Sequence, residues 1–208
     1  MYSKSKVCDD GMLQQSGGFE DDTFRHLLSE KRTILVNNVI GDNIIERVII
    51  PIISINEMDD ELESEAKNFI RKDNPIKIFI NSNGGDATST LSAISAIEQS
   101  KTPVHTYGFA KAFSGGFYML AAGHKRFCQV YSTLMYHQLQ MGIPYSDMTT
   151  SKEHIEEALR VQDMLDGFML RRTKLKQKQL DSINSKKVDW YLNSQDALRY
   201  GIVDSIYY

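Results

Sequence analysis

Ser114 lies at a glycine-flanked reversal in the run Gly108-Phe-Ala-Lys-Ala-Phe-Ser-Gly-Gly-Phe-Tyr-Met-Leu-Ala-Ala-Gly123, just ahead of an apolar, helix-competent stretch. A hydroxyl at a helix N-terminus has unpaired backbone N–H groups and the positive end of the helix dipole beside it, the surroundings a developing oxyanion needs, so the pattern points to acyl transfer. A lone Ser-Gly-Gly turn more often simply caps its helix, and other residues must decide between the two roles. A second glycine turn, Asn83-Gly84-Gly85, also follows a strand pattern and opens a helix, so N–H groups from both turns can converge on one oxygen. Neither turn continues into Gly-Lys-Ser/Thr, which argues against a phosphate-binding loop. A serine nucleophile needs a base, and the histidines are His26, His105, His124, His137 and His154. His26 and His154 fall on helix surfaces, His105 alternates within a strand and His124 follows the Gly123 stop. His137 ends a strand near the tips of the β-α units, although a solvated or structural role stays open for each of the five. Asp189, in a turn between a long helix and the C-terminal β-α region, is a candidate carboxylate to orient the base.

Composition limits the classes of function. The chain has 208 residues, 41% of them hydrophobic and 25% charged, with a formal net charge of −3. That excludes the basic excess of a nucleic-acid binder and allows one sizeable core, so one domain over 21–208 is expected behind a polar arm over 1–20. Cys8 and Cys128 are too few and too far apart for a disulfide framework or a closed metal site, so a reducing, cytoplasmic setting is expected. Neither a signal-peptide core nor an apolar run of membrane-spanning length occurs, so no membrane association is expected.

The elements that must position these residues follow from periodicity. Strands are expected over 32–36, 76–80 and 104–109, rich in β-branched residues, and short ones over 126–130 and 134–136. A helix over 87–99 joins the second to the third, so residues 76–122 read β-α-β-α and imply parallel strands with a right-handed crossover. The segment 43–69 has helical spacing but is expected to break at Pro51, and its acidic stretch over 56–67 reads as a solvated face. One amphipathic helix is expected over 146–179, about 50 Å long, with Ile155, Leu159, Met164, Leu165, Phe168 and Met169 on or near one stripe. A helix of that length leaves its own domain, so the stripe is expected to meet another subunit. A short helix over 194–200 and a last strand over 201–207 close the chain.

Several runs together carry a family resemblance: Ile78-Phe-Ile-Asn-Ser-Asn-Gly-Gly85, Phe113-Ser-Gly-Gly-Phe-Tyr-Met-Leu-Ala-Ala-Gly123, Lys125-Arg-Phe-Cys128, Met135-Tyr-His-Gln138, and Asp189 followed by Ala197-Leu-Arg-Tyr-Gly-Ile-Val-Asp-Ser-Ile206. From about Phe24 to its end the chain resembles ClpP, the proteolytic subunit family of the ATP-dependent Clp protease. The resemblance implies an α/β, crotonase-like (ClpP) fold of repeated β-β-α units with a protruding long handle helix. It implies a serine endopeptidase with Ser114 as nucleophile, His137 as base, Asp189 as orienting carboxylate, and the N–H groups of Gly85 and Gly115 as oxyanion hole, with no metal or organic cofactor. It further implies a homo-oligomer of two stacked seven-membered rings enclosing a chamber, unfolded polypeptides as substrates, and an AAA+ unfoldase ATPase as partner, docking on Phe79, Tyr107, Phe109 and Phe127. Other readings are a weakly active or non-catalytic subunit of a mixed ring and a crotonase-type acyl-CoA enzyme.

The chain also departs from the family pattern. Asn83 and Leu139 stand where proline is usual, Gly115 where methionine is usual, and Lys77 and Gln129 replace apolar residues of the docking surface. Val188 stands where an arginine usually precedes the catalytic aspartate. Without that arginine, packing of Trp190 and Tyr191 is expected to hold Asp189 in place.

Overall fold

Strands rich in Ile and Val pair into a seven-stranded sheet in the computed structural model, which describes residues 26–28, 30–142, 147–186 and 188–208. The arm expected over 1–20 lies outside the described residues. β1 (Thr33–Val36), β2 (Ile76–Ser82), β3 (Val104–Phe113), β4 (Lys125–Gln129) and β7 (Ser205–Tyr207) lie side by side in that order, every pair parallel. In β2 the inward residues Ile76, Ile78, Ile80 and Ser82 are buried and alternate with exposed Lys77 and half-buried Phe79, the period of a strand with one face on a core.

β3 runs four residues beyond its expected end because it serves two partners. Its first half pairs with β4, and its last three residues pair in parallel with β5 (Thr133–Tyr136). Between them Ala110 has φ 61°, and the register with β2 shifts between Ile80 and Ser82, the local bend that re-aims a strand end. β6 (Trp190–Leu192) then pairs antiparallel with β5. Because β3 and β6 both flank β5, segments more than fifty residues apart in the chain meet at one sheet end.

The α-helices that follow β1 among the described residues are α1 (Ile50–Glu65), α2 (Ala87–Gln99), α3 (Gly115–Ala122), α4 (Met148–Arg172), α5 (Gln177–Lys186) and α6 (Ser194–Arg199). All eight residues of α3 are buried, so this apolar run is the helix at the centre of the core. Three expectations need correction. Pro51 does not break the helical segment: a π turn over Ile45–Ile49 leads into α1, Ile50 N–H still donates to Ile45 O, and the buried Pro51 follows where the π turn gives way to the α-helix. The acidic stretch is not wholly solvated. Asp59 is completely buried, bonded by Arg32 at 2.6 and 2.9 Å and by the Thr102 hydroxyl at 2.6 Å, which ties α1 to the sheet. The long helix is shorter than expected, since Thr173 is extended and returns its hydroxyl to Met169 O, 2.6 Å away. The apolar periodicity carries on past it only because Leu175 and the α5 residue Leu180 are buried as well.

The stripe on α4 divides in two. From Met148 to Val161 nothing is buried, and Ile155 and Leu159 are exposed, whereas Leu165, Phe168 and Met169 lie in the core of their own chain. Only the N-terminal half stands clear of the body, so the expectation that Leu165 and Phe168 face another subunit is overturned.

Candidate active site

Ser114 occupies the N-cap position of α3, yet its side chain makes no capping hydrogen bond. Its backbone has φ 50° and ψ −119°, a conformation that costs a non-glycine residue about 1–3 kcal/mol and is held here from both sides. Ser114 N–H donates to Met135 O at 2.9 Å, the last link of the β3–β5 pairing, and Ser114 O accepts from Phe117 N at 2.9 Å. A strained strand-to-helix turn that lifts a hydroxyl clear of its own helix is the geometry of a nucleophile elbow.

The two glycine turns meet at this serine, as their pattern suggested. Gly84 has φ 91°, and a Cβ there would stand 2.6 Å from Ser114 Cβ and 2.7 Å from both Gly115 N and Phe113 O. The β-bridge between Ile40 and Gly85 uses Gly84 O, which accepts from Ile40 N at 2.9 Å, and Asp86 N, which donates to Ile40 O at 2.8 Å. That bridge leaves the Gly85 N–H for another acceptor. The site of a Cβ on Gly115 is 3.5 Å from Gly85 N, so the two amides border a common space. Gly115 opens α3, where backbone N–H groups have no partner within the helix. The place of the usual methionine side chain is filled by Thr90 Oγ1 and Ile40 Cδ1, which accounts for a glycine here.

His137 directly follows β5 and, with Ser114, Gly85, Gly115, Thr90 and Tyr118, lines a cavity of about 280 Å³. The parallel pairing of Phe113 with Met135 brings the serine turn and the histidine to the same sheet end. On its other side His137 shares a hollow of about 240 Å³ with Asp189, Val188 and Leu139. The antiparallel register pairs Leu134 with Leu192, Met135 with Tyr191 and Tyr136 with Trp190, and the next pair in that series is His137 with Asp189. Opposed residues of an antiparallel pair have Cβ atoms about 4.5–5.5 Å apart, within reach of a ring nitrogen and a carboxylate.

The three side chains are thus neighbours, but no hydrogen bond joins them. His137 Nδ1 is buried without a partner, while Asp189 is exposed. A buried imidazole nitrogen lacking a partner carries a desolvation cost. Trp190, next to Asp189, is half-buried. Its ring meets Tyr200 edge-on at 5.1 Å and Tyr136 at 6.5 Å, whereas Tyr191 is exposed with an edge on Phe113. Val188 is exposed.

The residues read as a docking surface form a ladder across three parallel strands. Phe79, Tyr107 and Phe127 lie in register and stack, with ring centroids 4.7 and 4.8 Å apart, and Tyr207 meets Tyr107 edge-on at 5.8 Å. Burial pushes the Tyr107 phenol up, and that of Tyr207 up to about 12, so both remain neutral. Phe109 lies further along β3, exposed and outside the stack. Periodicity missed a polar group behind the site, made of Tyr136, Gln162, Asp166 and Asn184. Its one sequence signal is Gln162 and Asp166, four apart on an otherwise apolar face.

Among the described residues no helix is long and apolar enough to cross a membrane, and no three His, Cys, Asp or Glu side chains cluster as metal ligands. Among curated proteins, the chain is 29% identical over 186 residues to the ATP-dependent Clp protease proteolytic subunit of Cyanophora paradoxa, covering 86% of each chain. The family model described as Clp protease matches residues 16–208. That match takes in both glycine turns, the strand end bearing His137 and the segment bearing Asp189, and the chain belongs to the Clp protease family, whose members are peptidases.

Proposed function

We propose that the chain is a serine endopeptidase subunit in which Ser114, His137 and Asp189 act as a triad. The observation that carries this reading is the Ser114 hydroxyl, held by a strained backbone at a helix N-cap and not used as a cap. Ser114 Oγ attacks the peptide carbonyl while His137 takes its proton, giving a tetrahedral oxyanion that faces the amides of Gly85 and Gly115. Collapse expels the amine, to which His137 returns the proton, and leaves an acyl-serine. Water, deprotonated by the same imidazole, then releases the carboxylic acid and restores the hydroxyl. Asp189 holds the ring once it closes on Nδ1. Family membership favours this reading over an acyl-CoA enzyme.

The same reading makes the chain a component of stacked heptameric rings fed with unfolded polypeptide by an AAA+ ATPase. It is supported by the exposed Ile155 and Leu159 on the free half of α4 and by the half-buried aromatic ladder on the sheet. The test is reaction of the full-length protein with a fluorophosphonate, followed by peptide mapping. Label on Ser114, absent from Ser114→Ala, together with hydrolysis of a fluorogenic peptide by the wild type alone, is the expected result. Label elsewhere, or turnover by Ser114→Ala, refutes it.

A further inference from the structure

Behind the cavity one buried carboxylate gathers donors from three elements. Asp166 of α4, 8% exposed, accepts from the hydroxyl of Tyr136 on β5 at 2.8 Å, from Gln162 Nε2 one turn earlier at 2.8 Å, and from Asn184 Nδ2 on α5 at 3.0 Å. The Tyr136 hydroxyl also lies 3.0 Å from Asn184 Oδ1. Gln162 turns its other end outward, and its Oε1 accepts from Leu139 N at 2.6 Å.

The chain on either side of His137 is therefore tied to one turn of α4. Tyr136 precedes it, Leu139 follows two residues later, and Nδ1 of the ring has no partner. The third arm of the group, Asn184, sits near the end of α5, a few residues before Asp189. The Leu139 bond requires a backbone N–H, which a proline in that place lacks. Burying a carboxylate among apolar side chains is costly, and an apolar replacement of a buried polar group often holds a fold equally well, so stability alone does not account for it. Its geometry does, because it sets the distance between two backbone segments that must present a ring and a carboxylate to each other.

We infer that Gln162 and Asp166 are positioning residues, which hold the His137–Leu139 segment and the end of α5 in the relation that the triad needs. The inference rests on His137 being the base. Gln162→Met removes both bonds of that side chain at nearly constant length, Asp166→Leu removes the hub, and Asp166→Asn keeps an acceptor for Tyr136 and Gln162 while the Asn184 amide can rotate to accept. On full-length protein with a fluorogenic peptide, Gln162→Met and Asp166→Leu are expected to lower kcat about tenfold or more with KM within about twofold, and Asp166→Asn to stay within about threefold of wild type. Wild-type kcat in folded Gln162→Met overturns the inference even where Asp166→Leu fails to fold.

A second measurement separates this inference from the protease reading. The ring ¹³Cε1 NMR signal of His137, identified by its loss in His137→Ala, is expected to move in Gln162→Met and to stay in place in Lys152→Ala, an exposed change on the same helix. A signal that stays in place in Gln162→Met refutes the positioning role whether or not the protein cleaves peptides. Movement of the signal in Gln162→Met, where the wild type itself cleaves nothing, refutes the protease reading and leaves the positioning intact.

Discussion

Replacing Gly115 by alanine should damage both stability and catalysis, and a second change at Thr90 should recover much of each. A Cβ on residue 115 runs into Thr90 Oγ1 and stands 3.1 Å from Ile40 Cδ1. Neither neighbour yields easily: Thr90 is 1% exposed and donates its hydroxyl to Asp86 O at 2.8 Å, and Ile40 is held by its bridge to Gly85. Overpacking of this kind costs about 1–3 kcal/mol. Alanine regains up to about 1 kcal/mol of helix propensity, so a net loss of about 1–2 kcal/mol is expected. The strain falls on the amide assigned to the oxyanion, and removing one such donor costs about 10²-fold or more in kcat, so a partial displacement should cost about 10- to 100-fold. Thr90→Ala alone should lose about 1 kcal/mol with its hydrogen bond and keep most activity. In the double variant the new methyl occupies the room of the missing hydroxyl, so the losses should be less than additive by about 1–2 kcal/mol. Urea unfolding and peptidase kinetics on the four proteins measure both effects. Strict additivity, or a Gly115→Ala protein with wild-type stability and kcat, would refute the packing argument.

Other consequences can be checked independently. Ile155→Asp/Leu159→Asp, on the exposed half of α4, should reduce the sedimenting species while leaving subunit melting unchanged; Leu165→Glu/Phe168→Glu, buried in the core, should unfold the subunit instead. Trp190→Ala should lower kcat about tenfold with little change in sedimentation, because the ring packs between Tyr136 and Tyr200 next to Asp189; full activity would show that Asp189 is held by something else. Burial pushes the Asp204 carboxyl up, but the Arg126 side chain and backbone N–H, bonding it at 2.5–3.1 Å, outweigh this and hold it below the usual carboxylate range. A depressed value means that the pair stabilises the fold above the unfolded carboxylate's pKa of about 4, and that this stability is lost as pH falls through the folded value. Asp204→Ala should therefore cost about 1 kcal/mol at pH 7, allowing for screening at a partly exposed pair, and progressively less toward pH 3; a pH-independent difference in urea unfolding would contradict the sign.

Local sequence was sufficient for the type of most elements and for the turns between them. The β-branched runs marked β1, β2 and β3, the apolar run after Ser114 marked a buried helix, and Asn83-Gly84-Gly85 with Ser114-Gly115-Gly116 marked two turns able to face each other. Helix ends were harder to read. Buried Leu175 and Leu180 continued the period of α4 across the break at Thr173, and the π turn that accommodates Pro51 has no signature of its own.

What only the tertiary structure decided depends on pairing between distant segments. Ser114 and His137 line one cavity because β3 bends at Ala110 and changes partner, and Asp189 shares a hollow with His137 because β6 runs antiparallel to β5 in one register. The unused capping capacity of Ser114, the inward turn of Leu165 and Phe168, and the burial of Asp59 against Arg32 likewise had no local signal, and the spacing of Gln162 and Asp166 did not show that Tyr136 and Asn184 would join them. A side chain's neighbours across a sheet or behind a helix are set by register and packing, and periodicity within one segment carries no information about the segment it will face.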